Sequence, residues 1–219
     1  KKKIGILHVS DEFGSTAAKY LKEAADKYGA VVVGTYVLNL GDKDVTAQLT
    51  RIRDAGAEVL IAWSHPVECA IIQRQRVELG LNIPLVGSPG YTMPATLEIS
   101  GTAAEGTYGI CEFTMNSPMP QTKEWADRYV KRWGRVPDLH SVAYYDGIHI
   151  LANALRKAGT DKVALVQALR SIGDHKGVSR DYDFTKGDEN RGRNGVHVAG
   201  IAQIRNGEPV VVAMVEVTD

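Results

Sequence analysis

The chain has 219 residues, of which 44% are hydrophobic and 24% are charged, a composition typical of an ordinary globular protein. Lys plus Arg and Asp plus Glu both number 26, and this zero net charge with neutral histidines argues against a nucleic-acid-binding protein. No apolar run approaches the roughly 18 residues of a membrane-spanning helix. Two cysteines, Cys69 and Cys111, are too few for a disulfide framework or a metal knuckle, so we expect two buried thiols.

Residues 1–113 alternate between predicted strands and helices. Lys1-Lys2-Lys3 leads straight into the first strand, so we expect no secretory signal within this stretch. The strands are predicted at residues 4–8, 31–33, 59–63, 83–87 and 106–113. The first helix is predicted to begin at Gly14-Ser15-Thr16 and to end at Gly29. The second is predicted to begin at a cap formed by Asp42 or Asp44 and to end before Gly56. The third is predicted to begin at Pro66 and to end at Gly80. This order predicts an α/β fold with a parallel, doubly wound sheet that helices cover on both faces.

Beyond residue 113 the pattern changes. Residues 114–120 read as a linker because they place two prolines in a polar run. Three helices are predicted without strands between them, at residues 121–133, 141–158 and 161–172. A loop at 173–195 is expected to hold a short strand at 182–184, and strands at 196–204 and 209–217 flank Asn206-Gly207, a hairpin turn signal.

The segment 58–72 is the best candidate for a ligand-facing edge. Its apolar strand runs into Ser64 and His65, and Pro66 then opens a helix. Polar side chains at the carboxyl end of a parallel strand, beside a helix N-terminus, are where open α/β sheets bind ligands. For His65, a role in capping the helix and a role in contacting a ligand are equally favoured interpretations, and a catalytic role is much less favoured.

Nothing in the sequence indicates an enzyme, a cofactor or a metal site. It has no G-x-G-x-x-G, no G-K-[ST], no G-x-S-x-G and no paired metal-binding histidines, and no nucleophile, base and orienting group stand out. We expect His8 to be a satisfied core histidine. We expect Asp11 and Glu12 to be a pair of solvent-exposed carboxylates.

Four short segments carry a family resemblance. They are Asp11-Glu12-Phe13-Gly14, Lys43-Asp44-Val45, Ala103-Ala104-Glu105-Gly106, and Pro137 ahead of Ala143-Tyr144-Tyr145-Asp146-Gly147. In order and spacing, over nearly the whole chain, these resemble the leucine/isoleucine/valine-binding proteins, the type I periplasmic solute receptors of ABC transporters.

The resemblance implies a two-lobed fold of which the first lobe is incomplete in this stretch. Residues 1–113 would form the second ligand-binding lobe, 114–120 a hinge crossing, 121–180 a helical segment of the first lobe, and 181–219 the closing strands near the hinge and second lobe. Without the first-lobe sheet, the helices of 121–172 would leave an apolar surface. We therefore expect different packing there, or a dimer with a second copy formed by swapping or through the exposed surface.

The resemblance also implies the solute contacts. Phe13 matches a tyrosine that packs on the bound amino acid, His65 matches another pocket aromatic, and His140 aligns near the solute side chain. Pro89 stands where amino-acid-binding members have the acid that holds the ligand's ammonium, which disfavours an α-amino acid; Glu68 or Glu112 could compensate. The expected contacts are Phe13, Ser64, His65, Ser88, Pro89, Tyr91 and His140.

The expected function is solute binding for an ABC importer. A small organic acid, either an amino acid or an aromatic carboxylate, would be captured between two lobes by hinge closure, with a slight preference for the aromatic acid. The partner would be an ABC permease, and the location periplasmic or extracytoplasmic as an anchored lipoprotein. The alternatives are a ligand-sensing domain of a receptor or regulator with the same fold and, less favoured, a doubly wound enzyme.

Overall fold

The fold is built around a mostly parallel sheet with helices on its faces. The computed structural model describes residues 2–117, 119–186 and 195–216. The chain forms two compact units, one of Lys1–Cys111 with Ile201–Val212 and the other of Glu112–Gly200 with Ala213–Asp219. Among the described residues, no helix is long and apolar enough to span a bilayer.

Strands and helices alternate through the first unit, as the sequence predicted. The strands are β1 (Lys3–Val9), β2 (Val31–Leu38), β3 (Val59–Trp63), β4 (Leu85–Gly87) and β5 (Tyr108–Cys111). The helices are α1 (Glu12–Lys27), α2 (Thr46–Asp54), α3 (Pro66–Glu78) and α4 (Pro94–Ser100), with 3-10 turns at Pro89–Thr92 and Gly101–Ala104. The predicted α/β fold class is confirmed.

The strand order in the sheet is β2-β1-β3-β4-β5, and all four of these neighbouring pairs are parallel. Strands β8 (Val198–Arg205) and β9 (Glu208–Glu216) extend the sheet beyond β5. They form the predicted hairpin, in which Asn206 and Gly207 have positive φ angles of 53° and 78°. Two central turn residues with positive φ give the turn that matches the twist of the flanking strands.

Several predicted boundaries were wrong for local reasons. Helix α1 begins at Glu12 because the Asp11 side chain caps it by accepting from the Gly14 amide at 2.9 Å. Asp42 does not cap α2; Val45 occupies the cap position, and Asp44 instead accepts from the Thr46 amide at 2.8 Å. The short helical turns between residues 89 and 104 were not predicted, because each is too short to show a helical period.

The core of the first unit lies between the sheet and its helices. Its buried members include Leu7 on β1, Leu49 on α2, Leu60 on β3 and Ile72 on α3. Both cysteines are buried thiols, as expected. His8 is also buried, and its Nδ1 donates to the Val9 carbonyl at 2.8 Å, so the expectation of a satisfied core histidine holds.

The second unit contains helices α5 (Pro120–Trp133), α6 (Leu139–Ala158) and α7 (Lys162–Arg170), close to their predicted spans. The expected short strand is β7 (Asp181–Tyr182), and it pairs with β6 (His175–Lys176), which was not predicted. Trp125, Ala126, Val142 and Val178 form the unit's core. The expected hinge crossing at 114–120 includes residue 118, which lies outside the described residues, and its role stays a prediction.

Candidate functional site

The candidate site lies where the connections of the first unit change direction. Strands β1 and β3 are neighbours, whereas β2 lies on the other side of β1. In open α/β sheets of this order, ligands bind beyond the carboxyl ends of the two strands that flank such a switch point. Asp11 and Phe13 follow β1, and Ser64 and His65 follow β3.

His65 is held by a carboxylate and an aromatic ring from the other strand end. Its Nε2 lies 2.7 Å from Oδ2 of Asp11. The Phe13 ring stacks on the imidazole with a centroid separation of 5.1 Å and an interplanar angle of 23°, and it also lies 6.0 Å from the Trp63 ring. The three residues form one continuous face, which we call the Asp11–Phe13–His65 face.

Asp11 is fixed from two sides. One carboxylate oxygen accepts from the Gly14 amide in the first turn of α1, and the other accepts from His65. The Gly14 amide, followed by the His65 hydrogen bond, holds the pKa of the Asp11 carboxyl below its usual value. Asp11 is therefore ionised at neutral pH, and His65 Nε2 acts as the hydrogen-bond donor.

His65 occupies the cap position of α3, but its side chain makes no capping hydrogen bond. The side chain instead points its Nε2 at Asp11, so the capping interpretation was wrong for the side chain. Within the described part of the chain, Nδ1 of His65 has no hydrogen-bond partner. Among the described residues, that nitrogen therefore keeps its hydrogen-bonding capacity unused.

A buried polar network lies below this face. The Ser88 hydroxyl donates to the Ser64 carbonyl at 2.7 Å, and the Ser64 hydroxyl lies 3.3 Å from Sγ of Cys69. Burial raises the pKa of the Cys69 thiol to about 12, so it stays protonated and unreactive. Burial likewise raises the pKa of Tyr91, whose ring packs in the hydrophobic core.

The expected contact residues thus fall into separate groups. Phe13 has 42% of its surface exposed, and His65 and Pro89 are half-buried, so these side chains are accessible. Ser64, Ser88 and Tyr91 are buried and support the turns after β3 and β4. His140 is exposed in the first turn of α6 and belongs to the second unit. Their contact with a solute stays a prediction.

The two carboxylates considered as compensating partners are already engaged. Glu68 is 3% exposed, and its Oε1 accepts from the Gly41 amide at 2.9 Å, which ties the loop after β2 to α3. Glu112, in the second unit, has its carboxylate 3.7 Å from the Arg180 guanidinium, which also donates to the Glu112 carbonyl. Both carboxylates therefore already have a partner within the protein.

Asp11 is the residue that the sequence interpretation missed. It was read as a solvated carboxylate, whereas the structure pairs it with a histidine 54 residues away. The signal was its place directly after β1 together with the strand order, because the carboxyl ends of adjacent parallel strands meet. Among the described residues, no group of three or more His, Cys, Asp or Glu side chains is arranged to hold a metal ion.

Comparisons with known proteins agree with this architecture. The family model described as "Periplasmic binding protein" matches residues 1–208. The chain is similar to Leu/Ile/Val-binding protein homolog 2 of Brucella abortus (strain 2308), with 28% identity over 193 residues that cover 85% of the chain and 50% of the relative. It is also 25% identical to the leucine-, isoleucine-, valine-, threonine- and alanine-binding protein of Pseudomonas aeruginosa, covering 84% of the chain and 52% of that protein.

A solved structure shares the fold. The solute-binding protein of an ABC transporter from Rhodopseudomonas palustris BisB5, in complex with 3,4-dihydroxybenzoic acid, matches with a TM-score of 0.84 at 23% identity. The match covers 98% of the chain and 60% of that structure. The chain spans about half the length of the curated relatives it matches.

Proposed function

The chain belongs to the periplasmic binding protein family, and we propose that it captures a small organic acid, an amino acid or an aromatic carboxylate, for an ABC importer. Its relatives are substrate-binding proteins and not enzymes. Capture would occur by hinge closure between two lobes, of which the first unit supplies one. The proposed solute contacts on this unit are Phe13, His65 and Pro89, supported from below by Ser64, Ser88 and Tyr91; His140 is proposed to contact the solute side chain from the second unit.

The observation that carries the proposal is the Asp11–Phe13–His65 face. It combines an exposed aromatic ring, which can stack on an apolar or aromatic solute, with an imidazole whose Nδ1 is unused among the described residues. Pro66 opens α3 directly after His65, so the positive end of that helix faces the same edge. The exposed ring favours a solute with an apolar body, and the helix N-terminus favours a solute with an anionic group.

The state of His65 decides which solute group Nδ1 can bind. With Nε2 donating to the Asp11 carboxylate, Nδ1 of the neutral ring can only accept a hydrogen bond, and it becomes a donor when the ring is protonated. A carboxylate bound at Nδ1 therefore requires the imidazolium form.

We also propose which chemical class of solute is bound. The curated relatives are named for leucine, isoleucine and valine, and the R. palustris structure holds a hydroxylated benzoic acid. Pro89 supplies no charge for an ammonium group, and both Glu68 and Glu112 are engaged elsewhere. An unpaired buried ammonium would cost about 1–3 kcal/mol or more. These facts favour an aromatic carboxylate without an amino group.

A thermal-shift panel tests this. Leucine, isoleucine, valine, benzoate and 3,4-dihydroxybenzoate are added to the chain and to its Phe13→Ala and His65→Ala variants. A ligand at a hundredfold its Kd adds roughly 2.7 kcal/mol to stability. We expect stabilisation by an aromatic acid that both variants reduce. Tyr20→Ala, which removes a more exposed aromatic side chain from the same helix, is the control. Stabilisation by leucine alone would overturn the preference for an aromatic acid.

Import and location are tested in cells. We propose that the partner is an ABC permease and that the chain works outside the cytoplasm. Deleting the gene should abolish uptake of the radiolabelled acid that the panel identifies, and restoring it should recover uptake. Normal uptake together with loss of a transcriptional response to the same acid would instead support the ligand-sensing alternative.

A further inference from the structure

Trp63 supplies a third aromatic ring beside the Asp11–Phe13–His65 face. It is the last residue of β3, and its ring centroid lies 6.0 Å from that of Phe13 at an interplanar angle of 45°. In an extended segment, side chains at i and i+2 point to the same side. The Trp63 and His65 rings accordingly both contact Phe13, whereas the side chain of Ser64, between them in sequence, is buried in the polar network below.

The Phe13 ring thus has two aromatic neighbours from a single stretch of chain. It stacks on His65 with a centroid separation of 5.1 Å, and it lies tilted against Trp63. Both separations fall in the range of about 4.5–7 Å in which aromatic pairs attract one another beyond the effect of the area they bury. Contacts from the β3–α3 connection therefore restrict a side chain that belongs to α1.

The backbone of Phe13 is fixed independently of these rings. The Asp11 side chain caps α1 just before it, and Gly14 follows it directly. Gly14 packs so closely on β1 that a Cβ atom there would lie 2.1 Å from the Val9 carbonyl oxygen. Since these contacts hold the first turn of α1 on β1, the orientation of the ring depends on its side-chain torsions, and the two ring contacts restrict those torsions.

The uncovered part of the Phe13 side chain amounts to 42% of its surface. A ring whose torsions are restricted presents this surface in one orientation before any solute arrives. Binding ordinarily loses affinity for each freely rotating side chain that must become ordered, and a ring that is already ordered avoids this loss. Trp63 itself is half-buried and pairs in register with His8 on β1, so the sheet sets its position.

We propose that Trp63 is a positioning residue of the solute site, which holds the Phe13 ring against His65 in the orientation that stacks on the solute. The inference rests on the proposed solute-binding function, and it adds a residue that acts through Phe13 without touching the solute. Loss of the Trp63 ring should leave the Phe13 ring free to rotate. Affinity for the solute should then fall by about twofold to tenfold, which corresponds to ordering one side chain on binding.

Fluorine NMR tests the contact without any solute. The chain has three tryptophans, Trp63, Trp125 and Trp133, so labelling with fluorotryptophan gives three resonances, and Trp63→Phe identifies one of them. Phe13→Ala should shift the Trp63 resonance because it removes the neighbouring ring. Tyr28→Ala, which removes an exposed aromatic side chain from the far end of α1, should leave that resonance in place and is the matched control. An unshifted Trp63 resonance in Phe13→Ala would overturn the proposal.

Calorimetric titration with benzoate, and separately with leucine, tests the effect on binding. Trp63→Leu, which keeps apolar bulk but removes the ring, should weaken binding of whichever acid the wild type binds, and Trp63→Phe should retain most of the affinity. In a Phe13→Ala background, Trp63→Leu should change the affinity little, because Trp63 acts through Phe13. An equal loss in both backgrounds, or a loss in Trp63→Phe as large as in Trp63→Leu, would contradict the proposal.

Failure of the proposed function gives a different result. If neither acid binds the wild-type chain, the function proposed for the site fails, and with it the role of Trp63 in binding, whereas the fluorine shift still shows whether Trp63 and Phe13 are in contact. If an acid binds and Trp63→Leu binds it as tightly as the wild type does, the function stands and the positioning role of Trp63 is overturned.

Discussion

Nε2 of His65 lies 2.7 Å from Oδ2 of Asp11, and this contact joins the ends of β1 and β3 across 54 residues of sequence. The other oxygen of the same carboxylate caps α1 through the Gly14 amide. Asp11 therefore fixes the start of a helix and the orientation of the imidazole at once. The accessible face of the first unit depends on one side chain.

Replacing Asp11 separates these two roles. Asp11→Asn keeps a good helix cap, whereas Asp11→Ala removes it and should destabilise the chain by about 0.5–2 kcal/mol. Both variants remove the negative charge that fixes the proton on His65 Nε2, so both should weaken binding of the acid found by the thermal-shift panel. Urea unfolding and ligand titration measure the two effects. If Asn destabilises as much as Ala, the contact with His65 rather than the cap supplies the stability.

The lowered pKa of Asp11 also predicts a pH dependence of stability. Because the folded pKa lies below the unfolded value of 3.8, the ionised carboxylate stabilises the fold fully above that value. The contribution is lost as the pH falls from the unfolded pKa through the folded one. In urea unfolding at a series of pH values, the stability difference between wild type and Asp11→Asn should shrink in acid. A difference that stays constant below pH 3.8 would contradict the assignment.

Much of the fold could be predicted because a local sequence feature marks each of several strands and helices. The apolar run Val59–Trp63 ahead of Pro66 located β3 and α3, and Asn206-Gly207 located the β8–β9 hairpin. The two-residue pairing of β6 with β7 could not be predicted in the same way. That pairing depends on the buried Asp146 carboxylate, which binds the Val178 amide and the Tyr182 hydroxyl from another element.

The candidate site was predictable only in part. Position located His65 at a strand end, because the carboxyl edge of a parallel sheet is where ligands bind. Phe13 was expected only from the family resemblance. The sequence did not reveal that Ser88 and Tyr91 would be buried, since that depends on how the turn after β4 packs on Cys69. Nor did it reveal that Glu68 would bind a loop amide.

Glu68 should control the loop that follows β2. Its buried carboxylate accepts from the Gly41 amide, and Gln75 on the same helix accepts from the Val45 amide at 2.7 Å. Glu68→Ala should cost about 1–3 kcal/mol, because it leaves the Gly41 donor unpaired. Amide hydrogen exchange at Gly41 should accelerate, while Glu68→Gln, which keeps an acceptor, should retain most of the protection. Glu78→Ala, at the exposed end of α3, is the matched control, and equal exchange in all variants would contradict the role.

Gly87 should tolerate no side chain. A methyl group there would overlap the buried Tyr91 ring and approach the Ala62 carbonyl oxygen to 2.8 Å. The ring fills the core beneath the turn that carries Ser88, so it cannot move without opening a cavity. Gly87→Ala should therefore destabilise the chain by about 1–3 kcal/mol. Gly87→Ala combined with Tyr91→Leu, which removes the overlapping ring, should be less destabilised than the sum of the two single variants. Additive effects in urea unfolding would show that the ring is not what excludes the methyl group.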